Sequence, residues 1–187
     1  METFKARRGG LEKTVVDMSF VICDFYHNVG KGGSKVLAEN LLQKITVRKL
    51  RFDDLNAIVE IDHKILGTKR PEYWHQKFEE TGGEEPSKSL VAELDGKIEG
   101  FIIGTVSGWE FGVPNTIGWI DTIGVNPEYQ KKGIAAFLFK AIVEEFKKDG
   151  IENIYALVKW EDWDLMCFFK AVGFTKGNII NLEYKLR

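Results

Sequence analysis

The chain has 187 residues, a length that suits one domain with a sizeable hydrophobic core. Its apolar content of 44% and charged content of 29% are ordinary for a soluble globular protein. The formal net charge of -2 argues against a general nucleic-acid-binding surface, and no apolar run approaches the roughly 18 residues that a membrane span needs. We therefore expect a protein that binds neither nucleic acid nor membrane.

The two cysteines, Cys23 and Cys167, are far apart in the sequence and match no metal-ligand spacing. We therefore expect no metal site and two free thiols in a reducing compartment. A cytoplasmic location is the default that this expectation favours.

The chain divides into an N-terminal extension, residues 1–43, and a main domain, residues 44–187. A flexible joint, Lys31-Gly32-Gly33-Ser34, interrupts the extension. Two interpretations remain open. The extension is either loosely packed or disordered, or it is an arm that packs on the domain or on a second subunit of a homodimer.

Strand and helix patterns alternate through the main domain. The predicted strands are residues 45–50, 89–94, 97–106, 119–125, 151–158 and 178–186. The predicted helices begin at Asp53, Pro71, Ile134 and Trp160. Asp95-Gly96 closes a hairpin between the second and third strands. This order predicts an α+β (α/β) three-layer sandwich, with one mixed, mostly antiparallel sheet and helices on both faces.

The stretch 119–146 carries the clearest chemical signal. After its strand, Asn126-Pro127 turns the chain, and Gly133 lies in a basic loop before the helix. A helix start has unpaired backbone N–H groups and a partial positive charge of about half a unit. Lys131 and Lys132 add charge, so the loop has the properties of a phosphate or diphosphate site.

The alternative is an ordinary strand–loop–helix joint with two solvated lysines. The loop is neither a P-loop nor a Rossmann fingerprint, because it lacks both G-x-x-x-x-G-K-[ST] and G-x-G-x-x-G. The physics alone therefore leaves the identity of a phosphorylated ligand open.

The residues themselves carry a resemblance to a family. Val125-x-Pro127-x-x-Gln130-x-x-Gly133-x-Ala135 resembles the acyl-CoA signature of the GCN5-related N-acetyltransferase (GNAT) superfamily, written [QR]-x-x-G-x-[GA] after a strand that ends V-x-P. The segment 168–174, Phe-Phe-Lys-Ala-Val-Gly-Phe, resembles the family's helix-to-strand ending F/L-Y-x-x-x-G-F. The resemblance covers residues 45–187 and leaves the extension unexplained.

The resemblance implies that acetyl-CoA is the co-substrate and that a primary amine attacks it directly in a ternary complex. It also implies which residues hold the cofactor. The pantetheine arm is expected on the strand residues Ile123, Gly124 and Val125. The diphosphate is expected on the N–H groups of Gln130, Lys131, Lys132, Gly133, Ile134 and Ala135. Phe168 and Phe169 are further expected cofactor contacts.

In the resembled family the first two helices shape the acceptor side. Tyr73 and Trp74 are therefore candidates for binding the acceptor, and Trp160 is a third. The alternative for Tyr73 and Trp74 is that both are packing residues.

Two positions depart from the family pattern. Many members protonate the leaving thiolate with a tyrosine, and Phe169 stands at that position. Many also carry a glutamate in the strand before the late helix, where Leu157 stands here. These departures put the usual catalytic pair in doubt.

For the general base we choose Asp121, which lies two and four residues before Ile123 and Val125. Strand periodicity predicts that all three share one face. Glu161 and Asp162 are the reserve candidates for the base. Glu161 is alternatively a substrate contact, and the alternative for Asp162 is the N-cap of the late helix.

An ordinary carboxylate is a weak base at neutral pH, which favours an acceptor that loses its proton easily. A lysine amine has a pKa of about 10.4, and an α-amine has one of about 7.7–8.0. We therefore expect the acceptor to be a peptide N-terminus or a small-molecule amine.

The leading interpretation is an N-acetyltransferase. A catalytically impaired CoA-binding module that acts as a sensor or assembly partner is the alternative, which Phe169 and Leu157 favour. A domain that binds a nucleotide at the same loop is the third.

Overall fold

The structure is a computed structural model that describes residues 40–80, 88–107, 117–177 and 182–186. Its strands are β1 (Ile45–Lys49), β2 (Leu90–Leu94), β3 (Lys97–Ser107), β4 (Ile117–Val125) and β5 (Asn153–Ala156). Its helices are α1 (Leu55–Leu66), α2 (Pro71–Glu80), α3 (Ile134–Lys148) and α4 (Trp163–Ala171). Short 3₁₀ turns, Phe52–Asp54 and Pro127–Tyr129, precede α1 and follow β4.

The five strands form one sheet in the order β1-β2-β3-β4-β5. The first four are antiparallel neighbours, and β4 and β5 are parallel. The predicted mixed, mostly antiparallel sheet is therefore confirmed. The parallel ladder runs from Ile117↔Asn153 to Ile120↔Ala156, whereas β4 continues to Val125. β4 and β5 thus part after Ile120 and leave a fork between them.

The turn between β2 and β3 forms as the sequence predicts. Asp95 and Gly96 have φ angles of 49° and 78°, both in the left-handed region. A two-residue hairpin turn with positive φ at both positions matches the right-handed twist of its strands.

Helices cover both faces of the sheet, which confirms the three-layer sandwich. On one face α3 and α4 contribute Ile134, Leu138, Ile142, Phe146 and Phe169 to a core with the strands. On the other face α1 and α2 contribute Leu55, Ile58, Val59, Ile61, Trp74 and Phe78 to a second core. Each helix forms because its apolar residues recur at helical spacing and bury one stripe against the sheet.

The prediction of a closing strand over 178–186 is wrong for residues 182–186, and residues 178–181 lie outside the described part of the chain. The segment 182–186 forms no strand, and its side chains Leu182, Tyr184 and Leu186 are 87–91% exposed. Alternation of apolar and polar residues is a local property, but a strand also needs a neighbour to pair with. The sequence pattern does not supply that neighbour.

The prediction of a free thiol is wrong for Cys167, which is disulfide-bonded. Cys23 lies outside the described residues. Sequence spacing cannot exclude a disulfide, because cysteines far apart in the chain can meet in the fold.

The described part of the extension is a helical segment, residues 40–44, that leads into β1. Leu41 and Leu42 pack against the core beneath α3. The division of the chain at residue 43 otherwise concerns residues outside the described part. No helix in the described ranges is long and apolar enough to cross a bilayer.

Candidate active site

The turn that follows β4 is tied to the start of β3. Asn126 donates its backbone N–H to the carbonyl oxygen of Glu99 at 2.9 Å, and its side-chain amide donates to Glu99 Oε2 at 2.5 Å. Both residues are buried. Asn126 Oδ1 accepts a long hydrogen bond from the N–H of Glu128 at 3.4 Å, which caps the 3₁₀ turn. These hydrogen bonds hold Asn126, the first residue of the loop, against β3.

Side chains of the loop hold its own backbone. Gln130 Nε2 donates to the carbonyl oxygen of Val125 at 3.0 Å, so this side chain joins the loop to the end of β4. Lys132 Nζ donates to the carbonyl oxygen of Glu128 at 2.8 Å and lies 4.9 Å from the centroid of the Tyr129 ring. The loop is therefore held by contacts of its own side chains.

The start of α3 leaves backbone donors without a helical acceptor. The helical ladder begins with the N–H of Phe137 and the carbonyl of Gly133, at 3.0 Å. The N–H groups of Gly133, Ile134, Ala135 and Ala136 precede that first bond, as at every helix start. Since they carry the positive end of the helix dipole, they form a site for an anionic group.

Two loop residues have left-handed backbone conformations, Lys131 with φ of 59° and Gly133 with φ of 91°. Such conformations turn backbone N–H groups toward one concave side, as in other anion-binding loops. A Cβ at position 133 would lie 3.2 Å from Leu42 Cδ1. The positive φ thus favours glycine here, and a Cβ would also require Leu42 to move by a few tenths of an ångström.

Beside this loop, the end of β4 has one edge with which no described strand pairs. Ile123, Gly124 and Val125 pair with β3 on one side, and the ladder to β5 has already ended at Ile120. A Cβ on Gly124 would lie 2.7 Å from ring carbons of Phe101, so a side chain has no room there. An extended ligand can therefore pair with this edge, in the way that strands pair with one another.

The structure places Asp121 on a different side of β4 from that predicted. The register between β3 and β4 shifts between Ile103 and Gly104, so Asp121 is the extra residue of a β-bulge. Its Oδ2 lies 3.7 Å from Lys77 Nζ of α2, whereas Ile123 and Val125 pack in the core with α3. The prediction of a shared face is wrong because a bulge breaks the two-residue alternation.

The two positions that depart from the family pattern differ in burial. Phe169 is 6% exposed, and its ring centroid lies 4.7 Å from that of Phe174 and 5.3 Å from that of Phe168. Phe168 also packs on Phe139 of α3. Leu157 is 80% exposed where the chain leaves β5. Phe169 therefore belongs to the core, while Leu157 lies on the surface at the fork.

The three residues predicted for the acceptor side separate in the structure. Trp74 is completely buried, with its ring centroid 5.3 Å from that of Phe101, so it is a packing residue rather than an accessible acceptor contact. Tyr73 is 42% exposed, and the guanidinium of Arg70 lies 4.3 Å above its ring. Trp160 is 75% exposed. The packing alternative is therefore confirmed for Trp74, and helical spacing alone could not decide it because it does not tell which face of α2 is covered.

The acidic residues after β5 also separate. Asp162 accepts a hydrogen bond from the N–H of Leu165 at 3.1 Å and caps α4, which confirms the N-cap alternative. Glu161 is exposed beside it.

An ion pair that the sequence did not indicate fixes the joint between α1 and α2. Arg70 donates to both carboxylate oxygens of Asp62, at 2.8 and 2.9 Å. Burial acts to raise the pKa of Asp62, but the hydrogen bonds and charge of Arg70, together with the interaction with Trp74, outweigh it and leave the pKa below its usual value. Glu99 and Lys77 were missed for the same reason as this pair. Each meets its partner only after the chain has folded, and neither lies in a motif.

Within the described residues, His, Cys, Asp and Glu side chains do not form a group of three that could hold a metal ion. The site thus consists of a loop with free N–H donors, an open strand edge, and a carboxylate near the fork.

Comparison with known proteins identifies the family. A family profile described as "Acetyltransferase (GNAT) family" matches residues 55–174. An N-alpha-acetyltransferase of Saccharolobus solfataricus is 28% identical over 146 residues, which cover 74% of this chain and 85% of that protein. The [ribosomal protein bS18]-alanine N-acetyltransferase of Escherichia coli K12 is 22% identical over 134 residues, covering 72% and 83%.

The fold has a counterpart among solved structures. The aminoglycoside N-acetyltransferase AAC(6')-Iy, solved in complex with CoA, superposes with a TM-score of 0.63 at 16% identity. The match covers 75% of this chain and 94% of that chain. Since the family profile spans most of the described domain, the chain belongs to the GNAT family of acetyltransferases.

Proposed function

We propose that this protein transfers an acetyl group from acetyl-CoA to a primary amine, by direct attack of the amine within a ternary complex. The acceptor is a peptide N-terminus or a small-molecule amine. Two neighbouring features carry the proposal. N–H groups at the start of α3 have no helical acceptor, and the edge of β4 at Ile123–Val125 has no described strand beside it.

These two features match two parts of CoA. The diphosphate binds the N–H groups of Gly133, Ile134 and Ala135, where the left-handed residues Lys131 and Gly133 turn the backbone outward. The N–H of Gln130, also expected to hold it, already donates to the carbonyl oxygen of Pro127 at 3.4 Å. The pantetheine arm, which carries amide groups, pairs with the open edge of β4. Ala135 is small, so the diphosphate can approach the helix closely. Phe168 and Phe169 pack in the core beneath α3 and support the helix that carries Ala135.

The fork brings the thioester near a carboxylate. In the proposed reaction, Asp121 accepts the proton of the attacking amine, directly or through water, because it lies on β4 just where β5 departs. A backbone N–H near Val125 stabilises the carbonyl oxygen as charge develops there. A thiol with a pKa of about 8.5 leaves readily as thiolate, so the missing tyrosine at position 169 is not essential.

The relatives support an amine acceptor of this kind. One is an N-alpha-acetyltransferase, and another acetylates the alanine of a ribosomal protein. The structural neighbour AAC(6')-Iy is an aminoglycoside N-acetyltransferase solved with CoA. An α-amine is also easier to deprotonate than a lysine side chain, which suits a carboxylate base.

Thiol release from acetyl-CoA, measured over a panel of amines, tests the proposal. We expect release with peptides that have free N-termini, and little release with peptides whose only amine is a lysine side chain. Ala135→Trp should abolish release because an indole would fill the diphosphate site. Lys140→Trp, at an exposed position of the same helix, is the matched control and should retain release.

The second candidate is a CoA-binding module without catalysis, favoured by Phe169 in the core and exposed Leu157 at the two positions that depart from the family pattern. CoA binding without thiol release from any acceptor would support it. Competition between CoA and ATP for the same site would instead support a nucleotide-binding domain.

A further inference from the structure

We propose that the surface formed by Leu157, Trp160, Glu161, Trp163 and Asp164, here called the aromatic–acidic platform, binds an acceptor that carries a second positive charge beside its reacting amine. The inference rests on the proposed function and specifies the acceptor class that this site takes.

The apolar part of the platform is unusually exposed. Leu157, Trp160 and Trp163 are 80%, 75% and 41% exposed. The two indole rings lie with centroids 6.1 Å apart at an angle of 60°, so they form one aromatic surface. Adjacent exposed tryptophans are uncommon on a monomer and mark sites where another molecule binds.

The charged part of the platform is acidic. Glu161 and Asp164 are exposed, and neither forms an ion pair within the described ranges. The carboxylate of Asp162 is already used, since it accepts the N–H of Leu165. Tryptophan faces attract cations, and neighbouring carboxylates add to that attraction. Lys159, between Leu157 and Trp160, is also exposed, but three carboxylates and one lysine leave the segment 157–164 with a net charge of -2. The two indoles and this negative charge therefore fit a cationic group.

The platform lies next to the proposed reaction centre. The ladder between β4 and β5 ends at Ile120↔Ala156, so Leu157 begins the platform at the fork where Asp121 lies. Trp160 follows three residues later, which is at most about 10 Å along an extended chain. A peptide bound with its amine at Asp121 therefore passes Leu157 and reaches the tryptophans within a few residues.

Helix α2, on the other side of Asp121, does not strongly repel such a molecule. Lys77 of α2 lies 3.7 Å from Asp121, so the carboxylate compensates the charge of the lysine. The acceptor that fits is a peptide with a free N-terminus and basic side chains at its next positions. A purely apolar partner fits less well, because it would desolvate Glu161 and Asp164 without a compensating charge.

Binding and turnover of three matched peptides test the inference. The peptides begin Ala-Lys-Lys, Ala-Gln-Gln or Ala-Glu-Glu, have free N-termini, and carry a fluorophore at the C-terminus. Fluorescence anisotropy with CoA-loaded protein gives each Kd, and thiol release gives each kcat/KM. We expect the lysine peptide to bind at least tenfold more tightly than the glutamate peptide.

Two sets of variants locate the effect. Glu161→Gln with Asp164→Asn should remove most of that preference. Trp160→Leu should weaken binding of the lysine peptide several-fold, and Trp160→Phe should weaken it less because a ring remains. The matched controls are Asp95→Asn, an exposed carboxylate in the β2–β3 turn, and Leu66→Ala, an exposed leucine of α1, and both should leave binding unchanged.

Equal binding of the three peptides overturns the inference, as does a preference that survives the Glu161→Gln/Asp164→Asn exchange. Sedimentation of wild type and of Trp160→Leu provides a separate check. If the wild type is a dimer that the substitution dissociates, a second copy covers the platform and the inference is wrong. Because peptide binding is measured independently of turnover, a failure of catalysis and a failure of this inference are distinguishable.

Discussion

The side-chain amide of Gln130 donates to the backbone carbonyl of Val125 at 3.0 Å, and this bond joins the anion-binding loop to the end of the strand beside it. The two halves of the proposed CoA site, the loop and the strand edge, therefore keep a fixed distance from one another. The side chain of Gln130 thus positions the backbone on which the proposed diphosphate site lies.

Gln130→Met tests this role because it keeps the approximate size of the side chain, removes the donor and adds no charge beside the proposed diphosphate. A net hydrogen bond is worth about 0.5–1.5 kcal/mol, so we expect CoA to bind roughly threefold to tenfold more weakly. The CoA Kd measured by calorimetry checks the result. Asn56→Leu, which removes an amide at an exposed position of α1, should leave the Kd unchanged. An unaltered Kd in Gln130→Met would assign no positioning role to the bond.

Asp121→Asn tests the proposed base. General-base catalysis contributes about 10²–10⁴-fold, so we expect kcat to fall within that range while the CoA Kd stays within about twofold of wild type. Steady-state thiol release, measured with a peptide that has a free N-terminus, gives kcat. If Asp121→Asn keeps full turnover, another group removes the proton, and Glu161 becomes the next residue to substitute.

Lys77→Gln tests whether the ion pair orients Asp121. The carboxylate would lose the cation 3.7 Å away, so we expect a several-fold lower kcat with an unchanged CoA Kd. A kcat equal to that of wild type would mean that the bulge alone positions Asp121.

Phe169→Tyr tests whether the family's missing tyrosine limits the rate. Phe169 is buried between Phe168 and Phe174, so a new hydroxyl would enter an apolar core. We expect no gain in kcat and a loss of about 1–3 kcal/mol in the free energy of unfolding, the usual cost of burying an unpaired hydroxyl. Urea unfolding and thiol release measure the two quantities. A large gain in rate would show that the hydroxyl reaches the thiolate after all.

The carboxylate of Asp54 ties β1 to the start of α1. Arg48 donates to it from both Nη atoms, at 2.7 and 2.9 Å, and the N–H of Arg51 donates to it at 2.8 Å. Burial acts to raise the pKa of Asp54, but these hydrogen bonds outweigh it and leave the pKa below its usual value. The pKa of Asp62 is also lowered, because Arg70 and Trp74 together outweigh the effect of burial.

These two pKa shifts predict how stability depends on pH. A carboxyl whose pKa is lower in the folded state stabilises the protein above its unfolded pKa of about 3.9, and that stabilisation is lost as the pH falls through the lower folded value. We expect the free energy of unfolding to drop below about pH 4, and to drop less steeply in Asp54→Asn and Asp62→Asn. Urea titrations from pH 7 to pH 3 measure it. Parallel pH curves for wild type and variants would contradict the role of these carboxylates.

Much of the fold follows from local signals in the sequence. The Asp95-Gly96 turn, the proline at the first position of α2 and the helical spacing after Gly133 each depend on residues close together in the chain, and each forms as predicted. The loop signature likewise located the start of α3, because the glycine and its neighbours are contiguous.

The errors concern partners that are distant in the sequence. The bulge at Asp121 depends on register with Gly104, and the burial of Trp74 depends on Phe101 of another strand. The segment 182–186 has the alternation of a strand but pairs with no described strand. Neither periodicity nor motif contains these relationships, so the side of β4 that Asp121 faces was not predictable.

Calorimetric titration of the folded protein with CoA tests the central claim most directly, namely that backbone N–H groups around Gly133 hold a diphosphate. The account predicts saturable one-to-one binding that Ala135→Trp abolishes and Lys140→Trp retains. It also predicts much weaker binding of pantetheine, which lacks the diphosphate. Absence of heat with CoA, or uptake that Ala135→Trp leaves unchanged, would contradict it.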